Sequence, residues 1–465
     1  MTMTADELAK AAADHLWLHF SRLAGEGGGS LPISMPLAKG PTIIERGQGS
    51  YVWDIEGKRY LDGLAGLFVV QAGHGREEIA RAAAAQAETL AYFPLWTYAH
   101  PASIELAARL AAKAPGDLNR AFLTTGGAEA VDAAWKLARQ YFLAIGQPDR
   151  VKVIARRTAY HGATLSTLNI TGLDAIKEPF LPLLNGLSRH VATTNRLHCE
   201  LCAHADSCTL DCADDIERAI LAEGPETVAA VFVEPVQNAG GCFVAADGYF
   251  DRVRQICDRY GVLLVSDEVI CAFGRIGDWF GSSRLGYQPD LLTFAKGVTS
   301  GYAPLGGLLV SERIAEPFLE PTASFLHGIT FGGHPVSCAV ALANLDVMER
   351  EDLPGRVREL EGEFRANLDT LLDLPIVSEV RGTGFFYGIE MSKNGKPFSD
   401  DECEWLIRGF LSSRLLELGL ICRADDRGDP VIQLSPPLVS GPEEFEAMAG
   451  IIRQTLVEAW KELDG

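Results

Sequence analysis

From about Gly75 onward the chain carries short apolar runs that do not alternate with polar residues: Ala121 to Leu123, Val151 to Ile154, Val228 to Val233, Val262 to Val265 and Leu291 to Phe294. A strand with one face in water alternates, so runs of this kind read as buried strands of a parallel sheet. Segments of helical periodicity lie between several of them, such as Asp214 to Glu223 and Gly248 to Tyr260. Strands alternating with helices predict an α/β fold with a large, mostly parallel sheet. Before this region, Ala5 to Leu23 reads as an amphipathic helix ended by the flexible stretch Gly25 to Ser30, and Tyr51 to Leu61 as a small hairpin turning at Glu56-Gly57-Lys58. After His334 the pattern is helical over Pro335 to Glu349 and Val357 to Leu372, then mixed. The expected organisation is a large α/β domain over residues 76–334. A smaller α+β domain would be built from both chain ends, residues 1–75 and 335–465.

The 465 residues, 47% of them apolar, suffice for a sizeable core. Lys plus Arg is 41 against 62 Asp plus Glu, a net charge of −21, which repels nucleic-acid phosphates and anionic lipid. No stretch approaches the ~20 apolar residues of a membrane span. Met1 to Lys10 is polar and acidic, unlike a secretory signal. The expectation is a cytoplasmic protein without nucleic-acid or membrane partners, its ten cysteines reduced.

Ligands of such sheets bind beyond the carboxyl ends of the strands. One apolar run ends on Ser266-Asp267-Glu268 and another on Ala295-Lys296-Gly297. Alone, the carboxylates suit a helix cap and the lysine a side chain reaching water. Together they suit one chemistry. A lysine amine forms a Schiff base with an aldehyde cofactor, and a carboxylate facing a pyridine nitrogen keeps it protonated and electron-withdrawing. Thr124-Thr125-Gly126-Gly127-Ala128-Glu129-Ala130 joins an expected strand to an expected helix, where backbone N–H groups and the helix N-terminus can cradle a phosphate. Tyr160-His161-Gly162 places an aromatic after another strand, to stack on a flat ring or to pack in the core.

These motifs resemble the class III aminotransferases, pyridoxal-phosphate enzymes of fold type I, over nearly the whole chain. The most specific stretch is Ser266-Asp267-Glu268-Val269, then Phe273-Gly274-Arg275, then Lys296-Gly297. Thr330-Phe331-Gly332-Gly333-His334-Pro335 and Ser435-Pro436-Pro437-Leu438 follow in the family's order. The resemblance is greatest to ω-amino acid and amine transaminases that use pyruvate. It implies a transaminase passing nitrogen from an amine donor to a keto acid by a ping-pong scheme. Lys296 would hold the cofactor aldehyde and shuttle the proton, and Asp267 would pair with the pyridine nitrogen. Val269 and Tyr160 would flank the ring, with His161 and Glu234 beside it. Gly126, Gly127 and Ala128 would cup the phosphate, Ala128 without the hydroxyl that many relatives have there. Thr330 would reach the phosphate from a partner subunit, making a homodimer or higher homo-oligomer part of the active site.

For the substrate, Arg423 resembles a mobile arginine that takes a carboxylate, a role suited to a bidentate guanidinium. Gln433 stands where ornithine-type relatives have arginine. Phe68 replaces a frequent tryptophan, and Phe20 and Trp96 either line the pocket or pack in the core. An aminomutase or decarboxylating enzyme on the same cofactor site is an alternative. Cys199, Cys202, Cys208 and Cys212, interleaved with His198 and His204, lie outside this reading. They suit either free thiols or a tetrahedral zinc. A metal- or redox-responsive protein built on them is the third alternative, and it leaves Lys296 and Asp267 unexplained.

Overall fold

The computed structural model describes residues 3–20, 41–202, 208–425 and 427–464. Its centre is a seven-stranded sheet of β1 (Leu118–Thr124), β2 (Lys152–Arg156), β3 (Ser188–Val191), β4 (Val228–Val233), β5 (Leu263–Asp267), β6 (Leu291–Phe294) and β7 (Gly306–Ser311), in the order β1-β7-β6-β5-β4-β2-β3. Every pairing is parallel except those of β7, which runs antiparallel to β6 and β1. The apolar runs read from the sequence all fall in these strands. The strand β7 was not read, although Leu305 to Val310 carries the same unbroken apolar signature.

The absence of alternation has the expected cause. All six residues of β4 are buried. Ala230 and Phe232 pack on one face with Trp135 and Phe142 of the helix Gly127–Ala144. Val231 and Val233 pack on the other with Ile216 of Asp211–Glu223 and Val253 of Tyr249–Tyr260. Each buried Val or Phe contributes about 1.5–3 kcal/mol of transfer free energy, and the period of two sends alternate residues to different helical layers. Ala130, Ala134 and Ala138, spaced four apart, let Gly127–Ala144 lie close on the sheet.

Both chain ends meet in a second sheet. Ile44–Gln48, Tyr51–Asp54 and Arg59–Asp62 form an antiparallel meander, and Leu420–Ile421 adds in parallel to Arg59–Asp62. A third sheet orders Val377–Thr383, Phe386–Met391, Val431–Leu434 and Arg423–Asp425. The helices Pro335–Arg350 and Leu353–Asp369 pack between these parts. The N-terminal helix is shorter than its apolar periodicity suggests. It spans Ala5–His15, buries no residue, and so has no tertiary packing to carry it further. The stretch Gly25 to Ser30 lies outside the described residues. Among the described residues no helix is long and apolar enough to cross a membrane.

Arg275, fully buried, ties distant segments together. Its Nη1 donates to the carbonyls of Phe385 (3.0 Å) and Pro436 (2.6 Å), and its Nη2 lies 3.5 Å from Gln71 Oε1. Burial pulls its pKa down to about 9. Replacing it by Met keeps much of the volume and leaves those carbonyls unsatisfied. Arg275→Met should therefore lower the unfolding free energy by about 2–4 kcal/mol, read as a lower urea midpoint; an unchanged midpoint would remove this tie from the fold.

Candidate active site

Six strands point the same way, so their carboxyl ends share one edge of the sheet, and a cavity of about 490 Å³ opens there. Gly126, Gly127 and Ala128 follow β1; Tyr160 and His161 follow β2; Glu234 follows β4; Asp267 ends β5, with Val269 just beyond; Lys296 follows β6. All nine line the cavity. The other lining residues, among them Val69, Val236, Ile270, Cys271, Thr299 and Pro304, were not singled out in the sequence. They are small or apolar and carry no motif.

The paired carboxylates at the end of β5 divide their work, because adjacent strand residues face opposite sides. Glu268 turns away from the cavity, accepting from the Gly281 N–H, from the Ser282 N–H (2.9 Å) and from the hydroxyls of Ser282 and Ser266. Burial pushes its carboxyl up to about 7. Asp267 turns into the cavity. Its Oδ2 lies 2.7 Å from His161 Nδ1, and its Oδ1 accepts from the Thr293 hydroxyl (3.1 Å) and the Val269 N–H (3.2 Å). A carboxylate accepts, so His161 donates through Nδ1. That leaves His161 Nε2 buried and unpartnered among the described residues.

Glu234 is likewise held on one side only. Asn238 N–H donates to its Oε2 at 3.1 Å, Oε1 has no partner among the described residues, and burial raises its pKa. Behind it, buried Arg156 donates to the Glu234 carbonyl at 2.6 Å.

Lys296 sits at φ +46°, a left-handed conformation that is rare for a side-chain-bearing residue and concentrated at functional sites. It swings the side chain off the strand direction. The amine hydrogen-bonds no described residue, and burial lowers its pKa to about 8 against the pull of Asp267 and Glu234. The next residue must be small, since a Cβ on Gly297 would lie 2.5 Å from Gln71 Nε2.

The helix Gly127–Ala144 opens on the cavity with no side-chain cap, so its first N–H groups face the cavity with the positive end of the helix dipole. A Cβ on Gly127 would lie 2.8 Å from Val269, and one on Gly306 would meet the backbone of Gly126 at 2.8 Å. Glycine at these two points lets the turn, the Val269 wall and β7 close on one another. An anion-binding turn, an unpartnered amine, a braced carboxylate and apolar walls suit a flat phosphorylated aldehyde.

A profile of the aminotransferase class-III family matches residues 35–456. The chain belongs to the class-III aminotransferases. It is 55% identical over 454 residues to a probable aminotransferase of Mycobacterium tuberculosis, covering 97% of this chain and 94% of the relative. It is 38% identical over 423 residues to a putrescine–pyruvate aminotransferase of Pseudomonas aeruginosa, covering 90% and 91%. In structure it is similar to an (S)-enantioselective ω-transaminase from Thermomicrobium roseum, with TM-score 0.90, 38% identity and coverage of 99% and 100%. A class-III aminotransferase is an enzyme that moves an amino group between an amine or amino acid and a keto acid, and pyridoxal phosphate follows from the family. The non-enzymatic alternative built on the cysteines is thereby overturned as an account of the whole chain.

In this aminotransferase the remaining residues stand apart from the cavity wall. Phe68 is fully buried, edge-on to Phe386 and packed in one cluster with Val236 and Cys271, which do line the cavity. Trp96 is 70% exposed and Phe20 48%. Thr330 is exposed, and its carbonyl accepts from Tyr92 Oη at 2.6 Å. Arg423 is turned to Asp425, with Nε 3.5 Å from Oδ2, and its charge acts on both Tyr160 and Lys296. Burial and the neighbouring Arg427 lower its pKa to about 10. Arg427, which also grips Asp425, went unnoticed in the sequence. The signal was there: two arginines stand two residues to either side of Asp425 in the sequence.

The lowered pKa of Lys296 has a measurable sign. Its amine should be half in the nucleophilic free-base form near pH 8, not near the ordinary 10.5. In cofactor-free protein, trinitrophenylation of Lys296 followed by peptide mapping should rise through pH 8 and level off by pH 9 to 10. A midpoint at the ordinary lysine value would contradict the buried setting.

Proposed function

We propose that this enzyme transfers an amino group from an amine or ω-amino acid to a keto acid such as pyruvate, with pyridoxal phosphate held at the sheet edge. The observation that carries the reading is Lys296: a half-buried side chain whose amine has no hydrogen-bond partner among the described residues, lining with a left-handed backbone the cavity that Asp267 and the open helix end also line. When bound, the cofactor supplies an electrophilic carbonyl and a ring that spreads negative charge from the substrate carbon.

The chain supplies the rest. Backbone N–H groups at Gly126, Gly127 and Ala128 hold the phosphate, and Ala128 adds no hydroxyl. Asp267, its orientation fixed by His161 and Thr293, would keep a proton on the ring nitrogen. Val269 and Tyr160 would bound the ring, and Glu234 has a free Oε1 to offer in the same cavity. Lys296 Nζ would hold the cofactor aldehyde and, once the substrate amine had displaced it, would be free to take a proton from the substrate carbon and return it; an amine near pKa 8 suits both acid and base work around neutral pH.

Arg423 takes the carboxylate of the keto acid. A second cation makes its release inexpensive: when Arg423 swings away, Asp425 keeps Arg427, whose Nε lies 2.7 Å from Oδ2. Withdrawn, Arg423 leaves the pocket free for an uncharged amine, so one site serves both halves of a ping-pong cycle. The putrescine–pyruvate relative supports this donor and acceptor class. Gln433 supports the separation from the ornithine branch, because its amide is buried and donates to the Asn238 carbonyl at 2.6 Å.

The working form in this reading is a homodimer in which Thr330 reaches the partner's phosphate site. Support comes from the cluster around it. Trp96 and Phe331 are 70% and 57% exposed, and Trp96 lies beside Gly328. Large apolar side chains grouped this way at a surface mark an interface. The cytoplasm is the compartment proposed, and the ten unpaired thiols suit its reducing conditions.

Lys296→Ala should lose turnover and the visible absorbance of bound cofactor while leaving the far-ultraviolet circular dichroism unchanged; retained turnover would sink the assignment. Arg423→Gln should lower kcat/KM for pyruvate about 10- to 100-fold, the worth of a charge-assisted hydrogen bond. The half-reaction with an uncharged amine should change little. Equal losses in both half-reactions would mean that Arg423 serves the fold instead of the carboxylate.

A further inference from the structure

Residues 192–210 connect β3 to the helix Asp211–Glu223, with no helix or strand among the described ones. Connections longer than about 12–15 residues are uncommon in compact domains unless they bind something or are clamped. Beneath this one lies a cavity of about 10 Å³, room for a single small ion, lined by Cys199, Cys202, Cys208 and Cys212 together with Thr193 and Arg196. The transaminase chemistry uses none of these residues.

The geometry points to a structural zinc site, in which Cys199, Cys202, Cys208 and Cys212 bind one Zn²⁺ as thiolates and clamp this connection to the helix that follows it. Four observations carry it. The four sulfurs are unpaired and border one small space. The Cys199-x-x-Cys202 turn is already folded as a knuckle: the Cys202 N–H donates to Cys199 Sγ at 3.3 Å. Cys202 Sγ lies 3.4 Å from the Thr209 hydroxyl, which brings the far end of the connection onto the first pair of cysteines. Such donors stabilise thiolates. Finally, Cys212 lies in the first turn of the helix, where the dipole favours negative charge, and is buried in the same apolar cluster as Ile216 and Ile220.

Around zinc, thiolate sulfurs stand at ~2.3 Å from the metal in a tetrahedron. No three of the four sulfurs are mutually within 4.8 Å here, so binding contracts the ring. Four thiols give up four protons to the solvent and form a complex of net charge −2, with the Arg196 guanidinium at the cavity wall to offset it. Thiolate sulfur selects zinc over magnesium and calcium. The adjacent His198 is not a ligand. Its Nε2 lies 2.6 Å from Glu390 Oε1 and 3.7 Å from Asp429. These three are the only potential ligand set already within 4.8 Å among the described residues, but Arg381 supplies the cation that Glu390 needs.

The test uses the full-length enzyme, expressed with zinc supplied and purified without chelator. Elemental analysis should find about one zinc per chain. A mercurial should release it as the four cysteines react. Replacement by Co²⁺ should give strong visible bands and a thiolate-to-cobalt charge-transfer band. The double variant Cys202→Ser/Cys208→Ser should lose the zinc and the cobalt spectrum while retaining turnover, and His198→Ala should keep both. Zinc-free wild-type protein, zinc retained by the double variant, a cobalt spectrum without the charge-transfer band, or a Cys199–Cys202 disulfide found by mass spectrometry would each overturn the site. Because the wild-type cobalt spectrum stands alone, the proposal stays testable if the double variant fails to fold.

Discussion

A sheet buried on both faces has almost nowhere to put a charge. Between the two helical layers an unpaired carboxylate or ammonium costs several kcal/mol, and only the edge where the strands end relaxes that constraint. Because β1, β2, β4, β5 and β6 run in one direction, their carboxyl ends share that edge, and Asp267, Glu234, His161 and Lys296 gather there. The cavity is thus a consequence of how the sheet is covered. Its polar side chains are satisfied on one side only: Asp267 is braced by His161 and Thr293, while His161 Nε2, Glu234 Oε1 and the Lys296 amine have no hydrogen-bond partner among the described residues. Natural interiors leave few buried polar atoms unsatisfied, and two of those in this chain, His161 Nε2 and Glu234 Oε1, belong to residues that line this one space.

The electrostatics follow from the same burial. The chain as a whole is acidic, at −21, yet the reaction proposed for it asks its site to take two anions. The donors are local and largely uncharged: the open amides of the helix Gly127–Ala144 for a phosphate, and a guanidinium for a carboxylate. Burial lowers the pKa of Lys296 to about 8 and raises that of Glu234, bringing an amine and a carboxyl closer to neutrality. Arg423 and Arg427 share Asp425, so one guanidinium can leave without stranding a buried carboxylate. The cysteine loop answers a different problem. Its last cysteine, Cys212, packs in the cluster holding Ile216 and Val253, on the far side of β4 from the helix Gly127–Ala144.

Much of this was legible in one dimension. An unbroken apolar run can only be a doubly buried element, so five of the seven strands followed from composition along the chain. The residues at or just after their ends, Gly126, Tyr160, Asp267 and Lys296, were then candidates by position; motif resemblance sharpened their roles and added Glu234. The antiparallel strand β7 escaped because direction has no sequence signal: Leu305 to Val310 is as apolar as its neighbours. The N-terminal helix was read too long because periodicity reports amphipathicity and not whether a surface exists to receive it.

What the sequence determined by itself is the chemistry at the strand ends, since residue type, order and spacing encode which groups can reach one edge. Tertiary structure decided what each group does there. It sent Asp267 into the cavity and Glu268 behind it, because neighbouring strand residues face opposite ways. It put Phe68 beneath the pocket floor, packed on Phe386, and left Trp96, Phe331 and Thr330 on the outer surface. It set Arg427 beside Arg423 on one carboxylate. Each of these outcomes depends on which surfaces meet in three dimensions and exclude water, and no local pattern of residues carries that information.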